Sequence, residues 1–403
     1  MIYRTGVASL MAGLVFSIVL QPAAGAGVSF LEKIDVFEAN TLGYAHFRIP
    51  GIVVTPKGTL LAYCEARKST RGDWGTIDIF LRRSTDGGKT WQPARKIVTP
   101  PPGANKNPVA LKQNLGAAHE ITVNNPVAIV DSKTGAIHFL YCIEYGRCFY
   151  MRSDDDGKTF CEPVEITSVF EEFRPEYEWK VLATGPGHGI QLQNGRLVVP
   201  IWLSTGTGGH AHRPSCVSTI YSDDAGKSWK RGEIVVRDPN PKNPSETVVV
   251  QLADGRVMLN IRHESRPNGR GVSISTDGAT GWSSMRFDPQ LPEPICMGSI
   301  VRLTLASKSK KNRILFANPH NFENTERKNL TVKLSDDEGD TWTVAKSLEP
   351  GLSGYSDLAV GPDGTLYCFY ERGTASEGAF HPKSLCVARF NLEWLTDGKD
   401  HLR

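Results

Sequence analysis

The chain has 403 residues, 46 Lys and Arg against 43 Asp and Glu, a formal net charge of +3, and 40% apolar residues. A balance this even, with no basic cluster, argues against a nucleic-acid partner, and the apolar content allows a large core. The eight cysteines are scattered without a CxxC pair, and no acidic cluster has metal-ligand spacing, so neither a metal nor another cofactor is expected.

Taken in chain order, Arg4 precedes an apolar run from Val7 to Leu20, which Gln21 and Pro22 break. Ala24-Gly25-Ala26 then fits a small-x-small cleavage site. Residues 1–26 read as a signal peptide, because the run is short for a bilayer span. The mature part, 27–403, is expected as one exported domain, secreted or periplasmic, monomeric and off the membrane after cleavage. Within it the chain repeats itself. A turn residue followed by an apolar strand starts at Gly58, Gly135, Gly195, Gly255, Asn312 and Gly364. A second element, Ser-x-Asp-x-Gly-x-Thr-Trp, interleaves with the first at Ser84–Trp91, Ser153–Phe160, Ser222–Trp229 and Ser335–Trp342. A degenerate copy spans Ser275–Trp282, where Ala279 stands in place of the glycine. The box has the chemistry of a hairpin turn: Asp accepts backbone N–H groups, Gly takes positive φ, and the aromatic residue plugs the turn. Cys142 and Cys148 are near enough in sequence to pair across a hairpin or to remain buried thiols. After the sixth strand copy no box follows, and Ser384–Phe390 is expected to close a ring beside the N-terminal segment. The period has room for four short strands, so the predicted fold is all-β, a six-bladed β-propeller of four-stranded antiparallel blades.

Three of the repeated strands end in charge: Glu65 and Arg67, Arg262, and Glu371 with Arg372. At a common phase of a ring these ends either line one central cup or are solvated rim residues; phase alone does not choose.

Phe47-Arg48-Ile49-Pro50, followed by the boxes, resembles the bacterial exo-sialidase (neuraminidase) family, and the likeness extends through GPGHGIQLQNGRLVVPI from Gly185 to GYSDLAV from Gly354. The resemblance implies cleavage of terminal sialic acid from sialylated glycans. It assigns the substrate carboxylate to three arginines, Arg48, Arg262 and Arg327, with Arg313 and Lys328 as neighbours of the third. A guanidinium suits that task because it holds a carboxylate through two charge-assisted bonds. The general acid/base is implied to be Asp73 in RGDWG, with Asp78 as its rival. The nucleophile is implied to be Tyr355 and its base Glu246. A tyrosine fits because the anomeric carbon carries a carboxylate that would repel an anionic nucleophile, and an ordinary phenol needs a base to react. Glu371 is implied to orient Arg48, Arg67 to lie beside the sugar's O4 region, and Ile49 to pack near the acyl group. Trp74, Trp179 and Trp202 are candidates for the pocket wall, and His188 is expected to have no chemical role.

Overall fold

The computed structural model describes residues 1–2, 28–70, 72–207, 209–266, 268–309, 311–375 and 381–402; the expected signal peptide lies outside the described residues apart from its first two. Among the described residues twenty-six strands carry the fold. A lone β1 (Leu31–Glu38) precedes the first sheet, made of β2 (His46–Val54), β3 (Leu60–Arg67), β4 (Ile77–Ser84) and β5 (Arg95–Lys96). The second holds β6 (Val123–Val130), β7 (Ile137–Ile143), β8 (Arg147–Ser153) and β9 (Val164–Glu165). The third is built on β10 (Val181–Thr184), with β11 (Gly187–His188) lent to the second sheet and β12 (Ile190–Gln191) paired to β13 (Leu197–Ser204). It continues through β14 (Ser215–Ser222), β15 (Lys230–Arg231) and β16 (Val236–Arg237). The fourth is β17 (Thr247–Gln251), β18 (Val257–Ile261), β19 (Gly269–Ser275) and β20 (Arg286–Pro292). The last seven-stranded path contains β21 (Ser299–Thr304), β22 (Arg313–Pro319), β23 (Lys328–Ser335), β24 (Val344–Val360), β25 (Leu366–Arg372) and β26 (Ser384–Phe390), and ends on β1.

That path divides in two at the 17-residue β24: its first half pairs with β23 and its second half with β25. The described residues therefore contain six groups of meandering strands. The strand ladders among the described residues are antiparallel except for β11, which joins β6 in parallel and so departs from the expected all-antiparallel pattern; an isolated parallel bridge also links Ile77 to Thr122. The expected closing strand is β26, and β1 lies antiparallel beside it from Leu31↔Phe390 to Glu38↔Ser384. Helices are confined to the one-turn segments Pro108–Lys112, Ser168–Glu171 and Leu392–Leu395, and no helix among the described residues is long and apolar enough to cross a membrane.

The core is distributed between sheets. Leu61, Tyr63 and Ile79 pack with Ile137, Phe139 and Tyr141 between the first and second groups. Comparable clusters fill the gaps between each later group and its neighbour, ending with Phe37 and Phe369 against Phe47 and Ile52, which returns to the first. A strand covered on both faces needs no polar side, so β3 is buried along its whole length: Leu60 to Cys64 lack alternating polar positions, and charge enters only at Glu65 and Arg67, at the end that faces the site. All eight cysteines are free thiols; Cys142 and Cys148 face each other directly across β7 and β8, both buried.

The boxes sit at the sheet ends remote from Arg67. In the first, Asp86 accepts from Lys89 N and Thr90 N at 3.1 and 3.0 Å, and Ser84 Oγ accepts from Gly88 N at 2.9 Å. The copy at Asp277 keeps this logic with a shorter turn: Ala279 N and Thr280 N donate at 2.9 and 2.8 Å, and positive φ falls on Gly278.

The β2–β3 pairing slips between Arg48 and Gly51. There Ile49 adopts φ 58°, an uncommon state for a β-branched residue, and such a bulge re-aims neighbouring side chains. Gly51 completes it, because a Cβ there would lie 2.1 Å from the Tyr63 ring. Tyr63 cannot retreat, since its hydroxyl donates to Gly187 O at 2.6 Å and accepts from Ala128 N at 3.0 Å. Gly51→Ala is expected to destabilise the fold by about 1–3 kcal/mol, read as a lower denaturant midpoint.

Candidate active site

The bulge, the β3 end and the start of the second half of β24 meet over one polar centre. Arg48 donates to Glu371 through Nε at 2.8 Å and Nη2 at 3.2 Å. Glu371, fully buried on β25, also accepts the backbone N–H of Tyr355 at 3.0 Å. One carboxylate thus fixes both a guanidinium and the tyrosine's backbone. Replacing it by a neutral amide leaves Arg48 without its counter-charge. We expect Glu371→Gln to cost about 2 kcal/mol, below the ~3–5 kcal/mol of a fully buried broken pair because Arg48 keeps some solvent contact, with a raised KM. Denaturant unfolding and steady-state kinetics read the two effects.

Tyr355 is 4% exposed, and its hydroxyl donates to Glu246, lying 2.7 and 2.6 Å from the two carboxylate oxygens. Arg262 Nη1 donates to the same hydroxyl at 2.7 Å and to Glu246. Glu246 and Arg262 are held side by side by the backbone, with Ser245 N to Arg262 O at 3.0 Å and Arg262 N to Glu246 O at 3.2 Å. Arg48 and Arg327 each place Cζ 5.0 Å from the Tyr355 ring centroid, and Arg327 Nη2 donates to Ile295 O at 2.8 Å. Burial pushes the phenol well above its ordinary range, and Glu246 adds to this while Arg262, Arg327 and Arg48 oppose it. The resting hydroxyl is therefore neutral and already bonded to a base. Arg262 Nε is buried without a hydrogen-bond partner.

Asp73 sits on the β3–β4 connection, where Arg67 Nη1 donates to its Oδ1 at 2.7 Å and to Gly72 O at 3.2 Å. The other side of Arg67 is held by Glu65, through Nε at 3.1 Å and Nη2 at 2.7 Å. Burial, the largest single influence, would raise the Asp73 carboxyl, but Arg67, His212 and Arg48 together with the hydrogen bond from Arg67 outweigh it and hold the group well below the usual carboxylate range. Arg48 also acts on Asp73, so both clusters share one field.

Asp78, the rival, is elsewhere engaged: it accepts from Tyr44 at 2.5 Å and pairs with Lys96 at 2.6 Å. Arg313 is committed to Asp400 at 2.7 Å and Lys328 to Glu326 at 2.7 Å, which leaves Arg327 as the cation over Tyr355. Ile49 is buried in the cluster containing Tyr355, Val248 and Met297. All three tryptophans are buried in core clusters; Trp179 donates to Phe170 O at 2.7 Å. Trp74 and Trp202 also meet Tyr145 and His212, with ring centroids 4.6–6.1 Å apart. The last two residues escaped the sequence reading; the only hint was the His210-Ala211-His212 run in a hairpin turn. Burial lowers His212 to about 4, so it is neutral at ordinary pH. His188 pairs with buried Asp357 at 2.7 Å, two residues along from Tyr355.

The BNR repeat-like domain family matches residues 110–368, and the BNR/Asp-box repeat matches residues 82–93. A sialidase of Micromonospora viridifaciens is 30% identical over 93% of this chain and 56% of its own length. The chain belongs to the BNR-repeat sialidase family. A second sialidase, from Bacteroides fragilis, is 30% identical over 87% of this chain and 64% of its own length, so the chain spans between about half and two thirds of these relatives. Among solved structures, the Hadza microbial sialidase Hz136 superposes with a TM-score of 0.73 at 27% identity, covering 90% of this chain and 69% of that one. In the sialidase family frame, the residues around Tyr355 and the Asp73–Arg67 pair are the candidate chemical groups of this chain.

Proposed function

We propose that this protein is a retaining exo-α-sialidase, exported and built as a six-bladed propeller, acting on terminal α-linked sialic acid of glycans. The observation that carries the reading is the Tyr355 hydroxyl bonded to the Glu246 carboxylate and to Arg262, with Arg48 and Arg327 beside the ring. The closed circuit of six inter-sheet clusters supports the propeller. The partnerless Nε of Arg262 supports an anionic ligand at that point.

In the first step Tyr355 Oη bonds to the anomeric carbon and its proton passes to Glu246. The bond to the glycosidic oxygen breaks, and that oxygen takes the proton of the Asp73 carboxyl. In the second step water gives a proton to Asp73 and its oxygen bonds to the anomeric carbon. The tyrosyl bond breaks, and Glu246 returns the proton to Tyr355. Two inversions give net retention. The arginines hold the substrate carboxylate throughout.

The test is product analysis by NMR on α2,3-, α2,6- and α2,8-linked substrates. The reading expects free sialic acid, appearing first as the α-anomer. First appearance of the β-anomer would overturn retention. An anhydro sugar, or transfer to added lactose in place of water, would overturn hydrolysis. Binding without turnover would overturn the enzyme reading.

A further inference from the structure

The Asp73 side chain is 41% exposed, although its carboxyl lies among the charges of the site, and it is anchored through Arg67, so its aim depends on the backbone that carries it. The chain from Gly72 to Gly75 is fastened by Arg67 of its own sheet and, beyond it, by two residues outside that sheet. Lys106, whose side chain is 1% exposed, donates through Nζ to Trp74 O, to Glu120 O at 2.8 Å, to Glu144 Oε1 at 3.0 Å and to Thr122 Oγ1 at 3.3 Å. Thr122 has one hydroxyl proton, and it goes to Gly75 O at 2.7 Å. Gly116 closes over the same carbonyl as Lys106, since a Cβ there would lie 2.4 Å from Trp74 O. Three successive fastenings therefore bracket Asp73: Arg67 on Gly72 O, Lys106 on Trp74 O and Thr122 on Gly75 O.

A buried ammonium needs a counter-charge and acceptors for its three protons. Glu144 supplies the charge and is itself fixed by Asn107 N at 3.0 Å and Thr122 N at 2.6 Å. Lys106 lies in a strand-to-strand connection that has no catalytic group of its own, so packing alone would favour an apolar residue. What the charge achieves is a rigid hold on a backbone carbonyl, one residue beyond Asp73.

We propose that Lys106, assisted by Thr122, is a positioning residue that aims the Asp73 carboxyl at the leaving-group oxygen. This rests on the sialidase reading, in which Asp73 is the general acid. Its signature is selective. A sugar alcohol leaves badly without a proton, whereas a phenol leaves nearly unaided. A displaced acid therefore harms sialyllactose far more than an aryl sialoside, while general loosening of the fold harms both alike.

The experiment compares kcat/KM for α2,3-sialyllactose and 4-methylumbelliferyl sialoside in wild type, Asp73→Asn, Lys106→Met and Thr122→Val. All are assayed well below their melting temperatures. Asp73→Asn sets the scale, with a loss of about 10²–10⁴-fold on sialyllactose and much less on the aryl substrate. Lys106→Met is expected to lose about 100-fold on sialyllactose, the effect of a ~1 Å displacement, with the aryl substrate again spared. Thr122→Val shifts the ratio the same way by less, and it decides the matter if Lys106→Met does not fold. An unchanged ratio in the folded variants, with Asp73→Asn showing the split, overturns the positioning role alone. No turnover of either substrate by wild type overturns the sialidase reading, and this inference with it.

Discussion

Tyr355→Phe is expected to lower sialoside turnover by roughly 10³-fold or more, the largest effect of any single change in the site. The variant removes one oxygen and little else. The ring stays 5.0 Å from the guanidinium carbons of Arg48 and Arg327, and the backbone N–H stays on Glu371, because none of these contacts involves the hydroxyl. Binding of the carboxylate should therefore persist while the covalent step is lost. A 2,3-difluorinated sialic acid supplies the direct readout: mass spectrometry should find the sugar on the wild-type peptide containing Tyr355 and not on the variant's. Equal turnover by the two proteins would remove Tyr355 from the mechanism. Glu246 would then be paired to a spectator.

Asp73→Asn is the second large effect, and its sign follows from the field around it. A general acid must carry a proton, yet Arg67 holds this carboxyl well below the usual range. Through the neutral range the free enzyme therefore has Asp73 mostly ionised, and the protonated fraction grows as pH falls toward its lowered pKa. For sialyllactose kcat/KM is expected to rise on going below about pH 7, with an acidic optimum. For an aryl sialoside the rise should be shallow. The substrate's own carboxylate offsets part of the arginine field, so the kcat profile should lie at higher pH than kcat/KM. Asp73→Asn abolishes the rise for sialyllactose; a pH profile that keeps its slope in the variant would place the acid elsewhere.

What was legible in the sequence was local. The boxes announce themselves because one Asp satisfies the N–H groups of its own turn, a contact four residues long. The strands announce themselves because burial on two faces removes their polar alternation. Even so, the degenerate box was legible only in part: the other boxes have two successive positive-φ residues, and with Ala279 in the second place only Gly278 of that pair keeps it and the turn is shorter. The β24 strand was less legible still. The segment contains Pro350, Gly351 and Gly354, residues that ordinarily interrupt strands, yet the backbone runs on while changing partner from β23 to β25. The site divides in the same way. Arg48, Glu246, Arg262, Tyr355 and Glu371 were reachable through motif resemblance, and the structure draws them around one phenol. Tyr145, His212 and Lys106 were not, because they act through contacts that no short motif encodes; Lys106 and Trp74 are 32 residues apart.

The pairing of β1 with β26 has a mechanical consequence. The register begins at Leu31↔Phe390, so the incoming chain and the outgoing chain leave the ladder at the same end. Asn391 ties that end shut, accepting from Phe30 N at 3.1 Å and donating to Val28 O at 2.9 Å. Force pulling the two ends apart would load these bonds one after another, as a zipper is opened, and not all together in shear. The seam should part at low force in a single-molecule experiment, ahead of any of the meanders. A cross-link between positions 31 and 390 should move the first rupture elsewhere in the molecule.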